Sequence, residues 1–362
     1  MGKNKIKLFD PVIGKEEKLI IKQVLESHFW ASGAGTGKVG EFETKFNEYV
    51  GSDYCITTNN GTAALHLALS LFDIQNKEVI LPSLSFVSTA HAVIYNGGKP
   101  IFVDVDPDTM CIDPNSIKKE ISKKTRVILP VHFAGMPCKM NEIKELCYEH
   151  NLALVEDAAH ASGATYKNKK IGSHGDAVCF SFHPVKNLAM PTGGAITLTG
   201  NRSKKFYELL KSRRWCGISN RKGVTYEVNE LGWNYYMNEF SAAIGLAQLQ
   251  KLDQMNKRRK EIAKRYSREI NVDKKMPFNK ECSYHFYWIF VKKRDGFIKK
   301  MAQNDVEIGI HYTPIHKMGY YKQKISLKNT DLAGQRITSL PTHPNLTDSD
   351  VDKIIELTNK FV

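Results

Sequence analysis

The chain has no apolar run approaching the roughly 18 residues that span a bilayer, so no membrane role is expected. It has no internal repeat and no low-complexity tract, which sets aside solenoid and disordered architectures. Its seven cysteines (Cys55, Cys111, Cys138, Cys147, Cys179, Cys216, Cys282) are odd in number, scattered, and never spaced as C-x-x-C. That pattern argues against a disulfide framework and against a zinc site. The stretch from Met1 to Asp10 mixes lysines with a few apolar residues and lacks the apolar h-region and small-residue cleavage site of a secretory leader. These absences point to the cytoplasm and to a site without metal.

Acidic residues are the scarcer charge, 38 against 52 lysines and arginines, giving a formal charge of +14 and a pI near 9.3. An excess of cations invites a nucleic-acid partner, because lysine and arginine neutralise phosphates. Here, however, the lysines are dispersed over the whole length. Their densest cluster, Lys251 to Arg268, is threaded by Leu246, Leu249, Leu252, Met255, Ile262 and Tyr266, the spacing of an amphipathic helix with a solvated basic face. No nucleic-acid partner is expected.

At 362 residues the chain suits one large and one small domain. Short β-branched runs alternate with helical periods from about residue 54 to 200. The strands read as Tyr54–Thr57, Val79–Leu81, Ile101–Val105, Val127–Val131, Ala153–Glu156, Val178–Phe182 and Ala195–Leu198, with helices at Thr62–Leu71, Ser85–Tyr95 and Met140–His150. Such alternation marks an α/β fold: a mostly parallel seven-stranded sheet flanked by helices, whose ligand sits at the carboxyl ends of the strands. Tyr166 to Gly175 reads as a surface turn or hairpin between two sheet strands. A long helix is expected from Asn238 to about Glu269, followed by strands at Tyr287–Val291 and Ile308–Tyr312, a helix near Phe297–Asn304 and a closing helix after Thr347. The expected division is residues 1–250 for the large domain and 251–362 for a smaller C-terminal α+β domain.

Within this frame Val178 to Thr197 delivers one lysine, Lys186, into a short loop ahead of the pair Gly193-Gly194. A lysine so placed is either a structural cation or an amine that forms a Schiff base with a carbonyl cofactor. Asp157 and His160 stand at the end of the apolar strand Ala153–Glu156. A buried aspartate there is either an N-cap or the partner of a protonated pyridine nitrogen, and Lys186 at another strand end favours the second. Asn60-Gly61-Thr62 stands between a strand and a helix, where free amides and a hydroxyl make a phosphate cup. Two motifs mislead. Ser32 to Val39 resembles a P-loop, but Ser32 holds the first glycine position, Val39 stands where Ser or Thr must be, and no strand precedes it. Asp104 to Asn115 resembles an EF-hand, but Thr109 and Asn115 occupy the positions that need glycine and glutamate.

In order and spacing, several runs resemble the DegT-type sugar aminotransferases, pyridoxal-phosphate enzymes of the aspartate-aminotransferase fold. They are Gly61-Thr62-Ala63-Ala64-Leu65-His66, Pro82-Ser83-Leu84-Ser85-Phe86, Phe102-Val103-Asp104-Val105-Asp106-Pro107, Glu156-Asp157-Ala158-Ala159-His160, Ser181-Phe182-His183-Pro184-Val185-Lys186, Gly232-Trp233-Asn234, Ala242-Ala243-Ile244-Gly245-Leu246 and Ser339-Leu340-Pro341. The resemblance implies that Lys186 forms the Schiff base and that Asp157 partners the pyridinium nitrogen. It implies further that Phe86 stacks on the ring, that His160 lies beside the phenolic oxygen, and that Gly61, Thr62 and Ser181 hold the phosphate. Asn234 would serve the phosphate site of a neighbouring subunit, so a homodimer is the implied working unit.

The implied reaction moves an amino group from an amino acid, glutamate by resemblance, to a nucleotide-linked keto-sugar, by way of pyridoxamine phosphate and for amino-sugar biosynthesis. Arg214 and His311 are the candidate substrate contacts. Two departures from relatives touch the substrate side: Thr192 stands where an acidic residue commonly precedes the glycine pair, and Cys216 where many carry histidine. A sugar dehydratase or a non-catalytic regulatory relative is the alternative. Dehydratases place histidine at the lysine position, and a vestigial site would have lost Lys186 or Asp157, so transfer is favoured.

Overall fold

In the computed structural model, which describes residues 5–362, helices and strands alternate through the first half of the chain. The first four residues, part of the N-terminal stretch considered above, lie outside the described residues. The sheet strands are β1 (Tyr54–Thr58), β2 (Glu78–Pro82), β3 (Lys99–Val103), β4 (Thr125–Ile128), β5 (Ala153–Asp157), β6 (Ala177–Ser181) and β7 (Gly194–Leu198). The helices are α1 (Lys15–Ser27), α2 (Gly37–Val50), α3 (Gly61–Leu69), α4 (Ser88–Tyr95), α5 (Pro114–Glu120), α6 (Met140–Glu149), α7 (Ser203–Arg214), α8 (Glu239–Glu269), α9 (Arg294–Gln303), α10 (Lys328–Arg336) and α11 (Asp348–Phe361).

The strands form one seven-stranded sheet in the order β1-β7-β6-β5-β4-β2-β3. Pairing is parallel among β3, β2, β4, β5 and β6 and antiparallel where β7 meets β6 and β1. Parallel neighbours need crossovers: α4 to α6 supply those among β2, β3, β4 and β5, and the segment that carries the 165–170 hairpin connects β5 to β6. Helices on both faces bury the strands completely, as in β5 and β7, and this explains why those segments read as continuous apolar runs rather than alternating ones. All seven expected strands are present. Three end sooner than read: β3 at Val103, β4 at Ile128 and β6 at Ser181; beyond the first two, Val105 and Val131 make only isolated bridges.

The hairpin read near Tyr166 is the pair Thr165–Tyr166 and Lys169–Lys170. The long basic helix is α8, started by Asn238, whose side chain accepts the Ser241 amide at 2.8 Å. Both misleading motifs turn out structural. The first amides of α2, from Lys38 and Val39, are taken by the carboxylate of Glu239, where a P-loop would hold a phosphate. Asp106 accepts the amides of Asp108 and Thr109 and closes a polar turn.

The C-terminal segment corrects the expected layout. Tyr287–Phe290 pairs with Ile337–Leu340, whereas Ile308–Tyr312 is not a strand and contributes one bridge, Gly309 to Ser339. The expected boundary at residues 250 and 251 falls inside the 31-residue α8. One apolar cluster also joins Ile80, Val103, Ile128 and Phe133 to Ile262, Tyr266, Trp288, Ile337 and Ile354, so the C-terminal segment packs against the sheet.

Candidate active site

Asp157 is the last residue of β5, and Lys186 lies in the loop that follows β6. The loop is pinned at its neck, where the Phe182 amide donates to the Gly193 carbonyl at 2.8 Å and the Met190 amide donates to the Phe182 carbonyl at 2.7 Å. Asp157 is only 5% exposed. The Thr89 hydroxyl donates to its Oδ2 at 2.8 Å and the Ala159 amide to its Oδ1 at 3.1 Å. Burial raises the carboxyl above its ordinary value, opposed by those two donors and by Lys186. On Lys186 burial acts the other way and brings the amine down to about 8, with Asp157 holding it up. The lysine itself is half-buried.

Opposite them stands the N-terminus of α3. The Asn60 side chain accepts the Ala63 amide at 2.9 Å, and the amides of Gly61 and Thr62 are left facing out of the helix. The Thr62 and Ser88 hydroxyls lie 2.7 Å apart. A Cβ on Gly61 would come within 2.7 Å of the Ser181 Cβ, so only glycine lets α3 close on the end of β6. The Thr192 hydroxyl donates to the Asn59 carbonyl, which ties the lysine loop to the residue just ahead of this helix start.

The third wall is aromatic. His160 receives the Ala134 amide on Nδ1 at 3.3 Å and stands 3.1 Å from the Tyr312 hydroxyl at Nε2. Its pKa lies well below the usual range, from burial first and then from the nearby Lys186 and His311 charges. The neutral ring therefore carries its proton on Nε2. His311 bonds Ser339 at 2.8 Å and is lowered to about 3 by burial and Lys186. The His285 ring lies 4.7 Å from His160, and the half-exposed Phe86 ring lies 6.0 Å from Tyr312.

Lys186, Asp157, His160, Phe86, Gly61, Thr62, Ser181 and His311 therefore converge. Arg214 does not. It is 1% exposed, and its guanidinium is bonded to Glu43 and to the Thr57 carbonyl and hydroxyl, which makes it a structural cation and corrects its reading as a substrate contact. Asn234 is exposed, bridged to Trp215. Thr89, Ser88, Tyr312 and His285 were not singled out as site residues from sequence.

Ser83, three residues before Phe86, bonds His316 Nδ1 at 2.6 Å, and His316 Nε2 bonds Asp331 at 3.0 Å. This looks like a hydrolase triad. Yet Ser83 and His316 are fully buried, and the serine oxygen already accepts the His316 amide at 3.0 Å. The hydroxyl is a strut, with no access for an electrophile.

A buried carboxylate, a facing amine and a helix start with free amides closed by an obligatory glycine fit a phosphorylated cofactor that carries a carbonyl and a basic ring nitrogen. Together with the sheet they define an α/β enzyme of the lysine–carboxylate type. Residues 11–358 match the DegT/DnrJ/EryC1/StrS aminotransferase family, and the chain belongs to it. The chain is 35% identical over 375 residues to the spore coat polysaccharide biosynthesis protein SpsC of Bacillus subtilis, with 97% of this chain and 96% of the relative covered. Among solved structures it resembles Helicobacter pylori PseC, an aminotransferase involved in the biosynthesis of pseudoaminic acid, with a TM-score of 0.92, 27% identity and 99% of both chains covered. It also resembles the PMP-form of the putative sugar aminotransferase Spr1654 of Streptococcus pneumoniae, with a TM-score of 0.91, 26% identity, and 99% and 97% covered. The protein is thus an aminotransferase of a family whose structural neighbours are sugar aminotransferases.

Proposed function

We propose that this enzyme uses pyridoxal 5′-phosphate to move an amino group from glutamate to a keto-sugar carried on a nucleotide diphosphate. The observation that carries the reading is the convergence of Lys186, Asp157 and the α3 N-terminus at the carboxyl ends of β5, β6 and β1, within a chain of this family. Bound there, the cofactor would supply a carbonyl that takes up an amine and a ring that accepts electrons from the neighbouring carbon. Gly61, Thr62 and Ser181, with Ser88 beside them, would hold its phosphate. Asp157 would face the ring nitrogen and keep it protonated, Phe86 would lie on the ring, and His160 would sit by the phenolic oxygen.

Lys186 does the proton work. With its pKa brought down to about 8 by burial, a useful fraction of the amine is unprotonated near neutrality. Nζ would take the proton from the donor's α-carbon and pass it to the cofactor's carbonyl carbon, and in the second half would carry a proton the other way, to the sugar carbon that receives the amine. His311, neutral and close to Lys186, is the candidate substrate contact. The positive surface charge would steer an anionic sugar diphosphate toward the site. Glutamate is the donor that the family resemblance implies. The working unit is a homodimer, supported by the exposed Asn234, and the location is cytoplasmic, supported by seven free cysteines and by the lack of a membrane-spanning helix among the described residues.

The test is direct. The purified protein should be yellow, should lose that colour on adding glutamate, and should aminate a member of a panel of nucleotide-linked 3-keto and 4-keto sugars. A colourless protein that takes up no pyridoxal phosphate sinks the proposal.

A further inference from the structure

The turn from Ser83 to Thr89 contacts Asp157 through a route that involves no cofactor atom. We propose that Thr89 is the positioning residue that holds the Asp157 carboxylate charged and aimed, at the end of a relay running from Ser85 through Thr89 to Asp157. The proposal rests on the role given to Asp157 above.

The hydrogen-bond roles follow from the geometry. Thr89 has one hydroxyl proton and three neighbours for it: Asp157 Oδ2 at 2.8 Å, the Phe86 carbonyl at 3.1 Å and the Ser85 hydroxyl at 2.7 Å. The Phe86 carbonyl already accepts the Thr89 amide at 3.2 Å. A charged acceptor outcompetes a neutral one, so the proton goes to the carboxylate. Ser85 then donates to Thr89, which polarises the hydroxyl further. Ser85 is 2% exposed and Thr89 fully buried, so water cannot replace either. Thr89 is the first-turn residue of α4 after Phe86 and Ser88, so one short segment places the ring-facing aromatic, a hydroxyl at the anion end and the donor to Asp157.

Other ionisable groups also turn toward Asp157. They are Lys186 from the loop after β6, His132 from the loop after β4, Cys179 from β6, and Tyr312. His132 is committed elsewhere, with Nε2 bonded to Glu156 at 2.8 Å and Nδ1 receiving the Cys138 amide. Among the described residues, the only other hydrogen-bond donor to this carboxylate is the Ala159 amide, on the other oxygen.

The experiment follows the release of pyridoxal 5′-phosphate from the holoenzyme during dialysis as a function of pH, together with the pH titration of its visible absorption band. Wild type must first show the band, and its absence would count against the proposed function rather than against this relay. In Thr89→Val the carboxylate loses a donor and protonates more easily. The acid limb of retention and of the band should therefore move up by about one pH unit, with release about tenfold faster near neutrality. Thr89→Ser should restore both and Ser85→Ala should move the limb the same way by less. An unmoved limb in Thr89→Val overturns the relay, and so does equal damage in Thr89→Val and Thr89→Ser, because that result would mean packing. Should Thr89→Val fail to fold, Ser85→Ala decides, and an unmoved limb there overturns the proposal.

Discussion

Burial acts with opposite sign on the two charges at the strand ends. It disfavours the charged form of each, so the Asp157 carboxyl holds its proton more tightly and the Lys186 ammonium lets go more readily. For the lysine, the unprotonated fraction grows as pH rises through about 8 instead of through the ordinary value of 10.5. In the cofactor-free protein, reductive alkylation of Lys186 followed by peptide mapping should therefore reach half its limiting rate near that pH. Asp157→Asn removes the charge that supports the ammonium and should shift the midpoint lower still. A midpoint in the range of surface lysines would refute the burial argument. Arg214 is the opposite case, a charge used for structure. Its removal in Arg214→Ala strands the Glu43 carboxylate, which also accepts the Thr57 amide at 2.8 Å, and should cost about 3–5 kcal/mol in chemical denaturation. The KM for the sugar should stay unchanged in the folded fraction; a raised KM with unaltered stability would return Arg214 to the substrate.

Among the elements, the segment following β2 organises the site through contacts on both its flanks. Ser83 locks it to His316 and Asp331, while Thr89 ties it to Asp157. Ser83→Ala leaves the His316 ring and amide without their partner in a fully buried place. It should lower stability by about 1–3 kcal/mol and weaken cofactor retention through the loosened Phe86, as read by denaturation and dialysis. No such strut is visible in the sequence, because Ser83 and His316 are far apart in the chain and neither stands in a local pattern. The seven sheet strands were legible, since burial on both faces forces apolar runs bounded by turn residues. Lys186, Asp157 and Gly61 stood out as candidates for a related reason: Asp157 ends β5, Gly61 opens α3 after β1, and Lys186 lies in the loop beyond β6, where polar residues and glycine interrupt such runs. Thr89, by contrast, is an ordinary threonine inside a helix, and His285 lies in irregular chain, so only the fold gives them meaning. Ile308 to Tyr312 has strand composition, but only Gly309 finds a partner, so propensity yielded to tertiary placement.

At the scale of the molecule, apolar clusters join the two halves, and the site draws on both. Asp157 ends β5 and Lys186 lies in the loop after β6, while His311 and Tyr312 come from the segment after α9. If Asn234 serves the neighbouring subunit, the site is also divided between two chains, and symmetry offers a test. In a dimer of that kind each site combines Lys186 from one subunit with Asn234 from the other. Mixing inactive Lys186→Ala with inactive Asn234→Ala, then unfolding and refolding them together, yields hybrids in which both lesions fall in one site and neither in the other. Equal mixing should restore about a quarter of wild-type transamination, since about half the dimers are hybrids with one intact site each. Were Asn234 to act within its own chain, each site of the hybrid would carry one lesion, and no activity would return. Recovery on mixing therefore requires a shared site, and the absence of recovery, with hybrid formation verified by differential tagging, would place Asn234 in its own subunit or outside the site altogether.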